Sequence, residues 1–223
     1  MKRGVGLKDL GINLNLAPVL DMCVDGDFLT QYDRCFRGTP EEIGELGENV
    51  ILGQRAGGIM SVAKHFPGYG GITQDPETVE ISVEDEIPEI EQFQVAGAAT
   101  PEFVMAVVDV IYQPIDPDLS FAISPHGINF LREEIAGDYL VISDDLATET
   151  MKNKYSLKNT VTLAAKAGVD VLLISANEPE DPLNAFKFLL EAVREGIVAE
   201  QDIDGSFTKI LDLKSTFGNL PER

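Results

Sequence analysis

The chain has no tryptophan, two histidines and two cysteines in 223 residues. Two cysteines are too few for a disulfide framework, and Cys23 and Cys35 share one loop-like region without metal-ligand spacing. They read as small buried or free thiols. Basic residues are also scarce, 17 Lys and Arg against 38 Asp and Glu, which leaves a formal charge of −21. That surplus repels phosphate backbones and anionic lipid, so nucleic acid and membranes are excluded as partners. No window reaches the roughly 18 apolar residues of a spanning helix. The N-terminal stretch MKRGVGLKDLGINLNL lacks the apolar core of a signal peptide, so the chain as given is expected to be cytoplasmic. What remains, 44% hydrophobic and 25% charged residues, describes an ordinary globular domain long enough to bury a core.

Short apolar runs alternate with helix-like segments, the pattern of parallel strands and covering helices. The predicted strands are Ile12–Ala17, Ile59–Lys64, Phe103–Asp109, Tyr139–Asp144 and Val169–Ser175. Thr39 and Pro40 open one helix and Ser124 and Pro125 another, each as an N-cap followed by a first-turn proline. SLKNTVTLAAKAG, DPLNAFKFLLEAVREG and AEQDIDGSFTKILDLKSTFG complete the helical set. The strands run into polar residues: Asp21, Lys64-His65, Asp109, Ser143-Asp144-Asp145 and Ser175-Ala176-Asn177. A (β/α) barrel builds its site from such strand ends, and a doubly wound sheet also places them at its carboxyl edge, so this pattern alone does not choose the fold.

Adjacent strand residues alternate faces, so one of Asp144 and Asp145 faces the site and the other supports or caps. Asp144 has the chemistry of a nucleophile toward a sugar's anomeric carbon, and Asp145 that of an N-cap for the next helix. Lys64 and His65 offer donors to hydroxyls, and Arg34 a planar fork of them. The glycines of PGYGG let backbone approach a ligand closely or move over it, but without a P-loop lysine they make a weak phosphate cradle.

The blocks GINLNLAPVLD, DRCF, AKHFPGYG, VISDDL and AAKAGVDVLLI, in this order, resemble the catalytic domain of glycoside hydrolase family 3, most closely its bacterial β-N-acetylhexosaminidase branch. The resemblance implies a TIM-type (β/α) barrel that hydrolyses a terminal β-linked N-acetylglucosamine or related sugar with retention, using no metal or cofactor. It makes Asp144 the nucleophile, and Arg34, Lys64 and His65 ligands of the sugar; Asp21 and Asp109 complete the expected substrate-binding set.

Two departures from the family pattern shape further expectations. Where the branch reads roughly K-H-F-P-G-H-G-D-T-x-x-D-S-H, Tyr69 replaces a histidine, Gly71-Ile72 replaces Asp-Thr, Asp75 is kept, and Pro76-Glu77 stands in place of Ser-His. The acid/base role therefore falls to Glu77 and Asp75. Asp109 stands where a histidine is usual. The family's barrel also has three strands ahead of GINLNLAPVLD, so about five of eight strands are expected here: a single, N-terminally incomplete barrel domain over 1–223. A second copy or an N-terminal segment would then close it. The same departures support an alternative reading, a catalytically impaired or partner-dependent remnant that binds sugar or protein.

Overall fold

Thr39 caps the first long helix as predicted: its hydroxyl accepts from the Glu42 N–H, and the Glu42 carboxylate accepts from the Thr39 N–H. This reciprocal pair, with Pro40 behind it, satisfies donors that every helix start leaves open. In the computed structural model, which describes residues 1–98, 104–175 and 178–217, the α-helices are α1 Lys2–Asp9, α2 Pro40–Ala56, α3 Glu91–Gly97, α4 Pro125–Glu134, α5 Glu149–Tyr155, α6 Leu157–Ala167, α7 Asp181–Arg194 and α8 Glu200–Thr216. The strands are β1 Leu14–Asn15, β2 Met60–Phe66, β3 Ser82–Val83, β4 Val104–Val107, β5 Ile111–Tyr112, β6 Leu140–Asp145 and β7 Val171–Leu173. None of the described helices is long and apolar enough to cross a membrane.

Each of the five predicted strands is present, most of them shorter than expected, and they form one parallel sheet in the order β1-β2-β4-β6-β7. The order follows the chain without reversal. A doubly wound sheet would reverse at a switch point, so the sheet is the open part of a (β/α) barrel, as expected. Phe103, Ala176 and Asn177 of the predicted strand regions lie outside the described residues. A small parallel pair, β3 with β5, was not legible because two-residue strands carry no period.

The faces of the sheet are sorted by residue parity. Ala63, Met105 and Val141 face a large core shared with Ile43 and Ile51 of α2, Phe93 of α3 and Leu131 of α4. Val62, Ala106, Leu140 and Ile142 point the other way, where Ile210 and Leu213 of α8 pack on them. The inner face of the partial barrel is therefore partly covered by the chain's own last helix. Asp170 anchors that arrangement: its carboxylate accepts from Ser206 of α8 at 2.8 Å, from Arg132 of α4 at 3.1 Å and from the Val141 N–H at 2.9 Å. Phe66 fixes the end of β2 by burying its ring against Phe93 and Phe121, at 5.3 and 5.7 Å between centroids. Such a side chain contributes about 1.5–3 kcal/mol by burial.

The cysteines correct the sequence reading. Cys23 and Cys35 form a disulfide, with Cα atoms 6.1 Å apart. The intervening 3-10 turn, Phe28–Tyr32, folds the segment back on itself and brings together two thiols that spacing alone left unpaired.

Candidate active site

The predicted site residues gather at the carboxyl ends of the strands. Asp21 follows β1 and is 0% exposed. Its Oδ2 accepts from His65 Nδ1 at 2.8 Å and from the His65 N–H at 3.1 Å, while its Oδ1 accepts from the Tyr69 N–H at 2.7 Å. A carboxylate only accepts, so in this pairing the imidazole donates through Nδ1. Asp21 thus stands behind His65 and positions it. His65 is packed against the Tyr69 ring, 4.7 Å between centroids.

Tyr69 carries that order to the next strand. Its hydroxyl donates to Asp144 Oδ2 at 2.7 Å, and the Asp145 N–H donates to Asp144 Oδ1 at 3.0 Å. Burial, then the charge of Asp144, push the Tyr69 phenol well above its usual range, so it remains a donor. Asp145 does not cap the next helix as predicted. Thr148 does so through the Met151 N–H, and Asp145 instead accepts from the N–H groups of Ala147 and Ser175 and from the Ser175 hydroxyl. It ties the end of β6 to the segment after β7.

Lys64 is half-buried at the end of β2, where the ladder to β4 shifts register between Ala63 and Phe66. Burial and the neighbouring Arg34 guanidinium lower its ammonium's pKa, against the pull of Asp144 and Asp21. Arg34 itself is exposed, next to Cys35 of the disulfide. Glu77 lies on the rim, its carboxyl raised above the usual value first by partial burial and then by Asp144, Asp75 and Asp145, with Arg34 opposing. Asp75 shapes the same loop, accepting the Glu77 N–H at 3.0 Å. Glu80, farther along, pairs with Lys154 of α5 at 2.6 Å. Asp109, just past β4, is 6% exposed and lies within electrostatic reach of Asp144, Asp145 and Glu77.

The glycine loop differs from expectation. Gly70 approaches the chain's own backbone, since a Cβ there would lie 2.9 Å from the Met22 carbonyl, and Gly71 sits at φ +79°. The Gly71 N–H donates to Asp27 Oδ2, and the Phe28 N–H to the Ile72 carbonyl. The first half of the loop is therefore pinned to the disulfide-containing segment, in place of being free to cover a ligand. A broad cleft of about 720 Å³ opens alongside Gly70 and Gly71 toward Glu84 and Pro88, and none of the predicted site residues lines it. The chemistry-bearing side chains, not this cleft, define the candidate site. Sequence reasoning missed Tyr69 as a partner of Asp144; the only signal was that a hydrogen-bonding side chain filled a position where the family pattern has histidine.

The partial parallel barrel thus brings a carboxylate on β6, cations from the first loop and β2, and acids on the loop after β2 to one end of its sheet. Residues 2–213 match the model of the glycosyl hydrolase family 3 N-terminal domain, and the chain belongs to that family. A β-hexosaminidase of Hydrogenovibrio crunogenus is 34% identical over 76% of this chain and 48% of its own length. An uncharacterised secreted glycosyl hydrolase of Arthroderma benhamiae is 29% identical over 94% of this chain and 62% of its own. Among solved structures, a family 3 β-N-acetylglucosaminidase of a Paenibacillus species superposes with a TM-score of 0.91 at 28% identity, covering 99% of this chain and 43% of that one. The chain thus spans about half the length of the bacterial relative and somewhat more of the fungal one.

Proposed function

We propose that this chain carries the catalytic site of a retaining glycosidase that removes terminal β-linked N-acetylglucosamine or a related sugar. The observation that carries the reading is Asp144: it is the penultimate residue of β6, at the carboxyl end of the sheet, each carboxylate oxygen accepts one hydrogen bond, and Lys64 lies close enough to feel its charge. In the first step an Asp144 oxygen attacks carbon 1 of the sugar as the bond to the leaving oxygen breaks, and Glu77 gives that oxygen its proton. In the second, Glu77 takes a proton from water, the water oxygen attacks carbon 1, and Asp144 departs. Asp75 orders the Glu77 loop, and Lys64, His65 and Arg34 hold sugar hydroxyls. The names of the relatives support the amino-sugar substrate.

The disulfide adds a compartment to this reading. A Cys23–Cys35 bridge is at home in an oxidising environment, which favours an exported protein over the cytoplasmic expectation. The secreted description of the Arthroderma relative points the same way.

The direct test compares the protein with Asp144→Asn on aryl β-N-acetylglucosaminide and aryl β-glucoside. Wild type is expected to turn over the first in preference, and Asp144→Asn to lose about 10⁴-fold in kcat. Equal inactivity of both proteins on both substrates contradicts the proposal.

A further inference from the structure

Asp109 has a buried carboxyl oxygen, Oδ1, with no hydrogen-bonding partner among the described residues. Its backbone lies just past the Val107–Ser143 pairing of β4 with β6, beside the strand that presents Asp144. The groups within electrostatic reach of it are the carboxylates of Asp144, Asp145 and Glu77 and the Tyr69 phenol, none of which offers a cation. An unmet polar oxygen in a buried site is costly, and it leaves Asp109 a hydrogen bond to make with an occupant of the site.

We propose that Asp109 is a specificity residue that meets the substituent on carbon 2 of the bound sugar. The inference rests on Asp144 acting as the nucleophile. Attack by Asp144 places carbon 1 of the sugar against it, and the atoms bonded to carbon 1 on the ring side are carbon 2 and the ring oxygen. The ring oxygen becomes electron-poor as the leaving group departs, so a donor there would oppose the reaction. The substituent on carbon 2 carries no such conflict. Burial, and then the three carboxylates, push the Asp109 carboxyl well above the usual range, which favours its protonated form. A protonated carboxyl offers one donor and one acceptor, matching the carbonyl and N–H of an acetamido group. The choice of substrate at this position is then made by an uncharged group surrounded by acids.

The test pairs substrate with variant. Wild type, Asp109→Ala and Asp109→Asn are assayed on aryl glycosides bearing an acetamido group, a hydroxyl or hydrogen at carbon 2. Comparing each substrate across variants cancels the intrinsic reactivity of the 2-deoxy sugar. Asp109→Ala is expected to lower kcat/KM for the acetamido glycoside about tenfold more than for the 2-deoxy glycoside, the fold-change of one lost hydrogen bond. Asp109→Asn, with a donor and an acceptor but no charge, is expected to keep more of the discrimination than alanine does. A loss equal for all three substrates, or equal in the two variants, overturns the proposal. Infrared spectroscopy gives a readout independent of turnover: a protonated carboxyl band at neutral pH that Asp109→Asn removes, and its absence from wild type also overturns the proposal. A wild type that turns over none of the glycosides while showing that band defeats the nucleophile reading, and this inference with it; active wild type with uniform losses defeats only the inference.

Discussion

One buried carboxylate can order several working groups when its two oxygens face in different directions. Asp21 does this by gripping His65 with one oxygen and the Tyr69 backbone with the other, and Tyr69 then reaches Asp144. The sequence made Asp144, Lys64 and His65 visible because they end apolar runs with polar side chains. It hid the duties of Asp21 and Tyr69, because a hydrogen bond between residues tens of positions apart leaves no local pattern. Glu77 gives the residue-scale prediction. Its carboxyl is raised, so the protonated form needed by a general acid persists to higher pH and is lost as pH climbs through that raised value. The alkaline fall of kcat/KM is expected to follow Glu77 and to disappear in Glu77→Ala, with a rate loss of about 10²–10⁴-fold. Azide should restore turnover and yield a β-glycosyl azide; an unchanged pH profile and no azide effect would remove Glu77 from the mechanism.

Long elements with explicit end signals were the readable ones. Thr39 and Ser124 cap α2 and α4, and Gly168 ends α6 in the left-handed region at φ +95°, all where sequence placed them. The seven-residue helices α3 and α5 escaped because about two turns are too few to establish a repeat. The position of α8 escaped for another reason: periodicity reveals that a helix has an apolar face, but not which side of a sheet that face covers. The segment from Cys23 to Cys35 supports the site from one side. It carries Asp27, which holds the Gly71 N–H, and Arg34. By the loop-closure argument, opening its disulfide is expected to cost about 3 kcal/mol. The Cys23→Ser/Cys35→Ser variant should unfold at lower temperature and show a KM raised more than kcat is lowered, since the role proposed for Arg34 is to bind and not to react. Unaltered stability and unaltered KM would show that the bridge supports neither the fold nor the site.

Across the whole molecule, function depends on a sheet that is only part of a closed barrel. Five strands in chain order bring β1, β2, β4 and β6 side by side, so that the loop after β1, Lys64-His65, Asp109 and Asp144 meet at one end. Helices cover the outer face and α8 part of the inner one, leaving the carboxyl end to the polar groups. The surface charge of −21 suits a neutral sugar better than an anionic ligand. The most direct test of the account is to trap the intermediate it requires. A 5-fluoro derivative of N-acetylglucosaminyl fluoride destabilises the electron-poor transition states of both steps while its good leaving group still allows the first, so a covalent glycosyl-enzyme accumulates. Peptide mass spectrometry should then find the sugar esterified to Asp144, with no adduct in Asp144→Asn. A turning-over protein that yields no adduct, or carries it on another residue, would contradict the central claim.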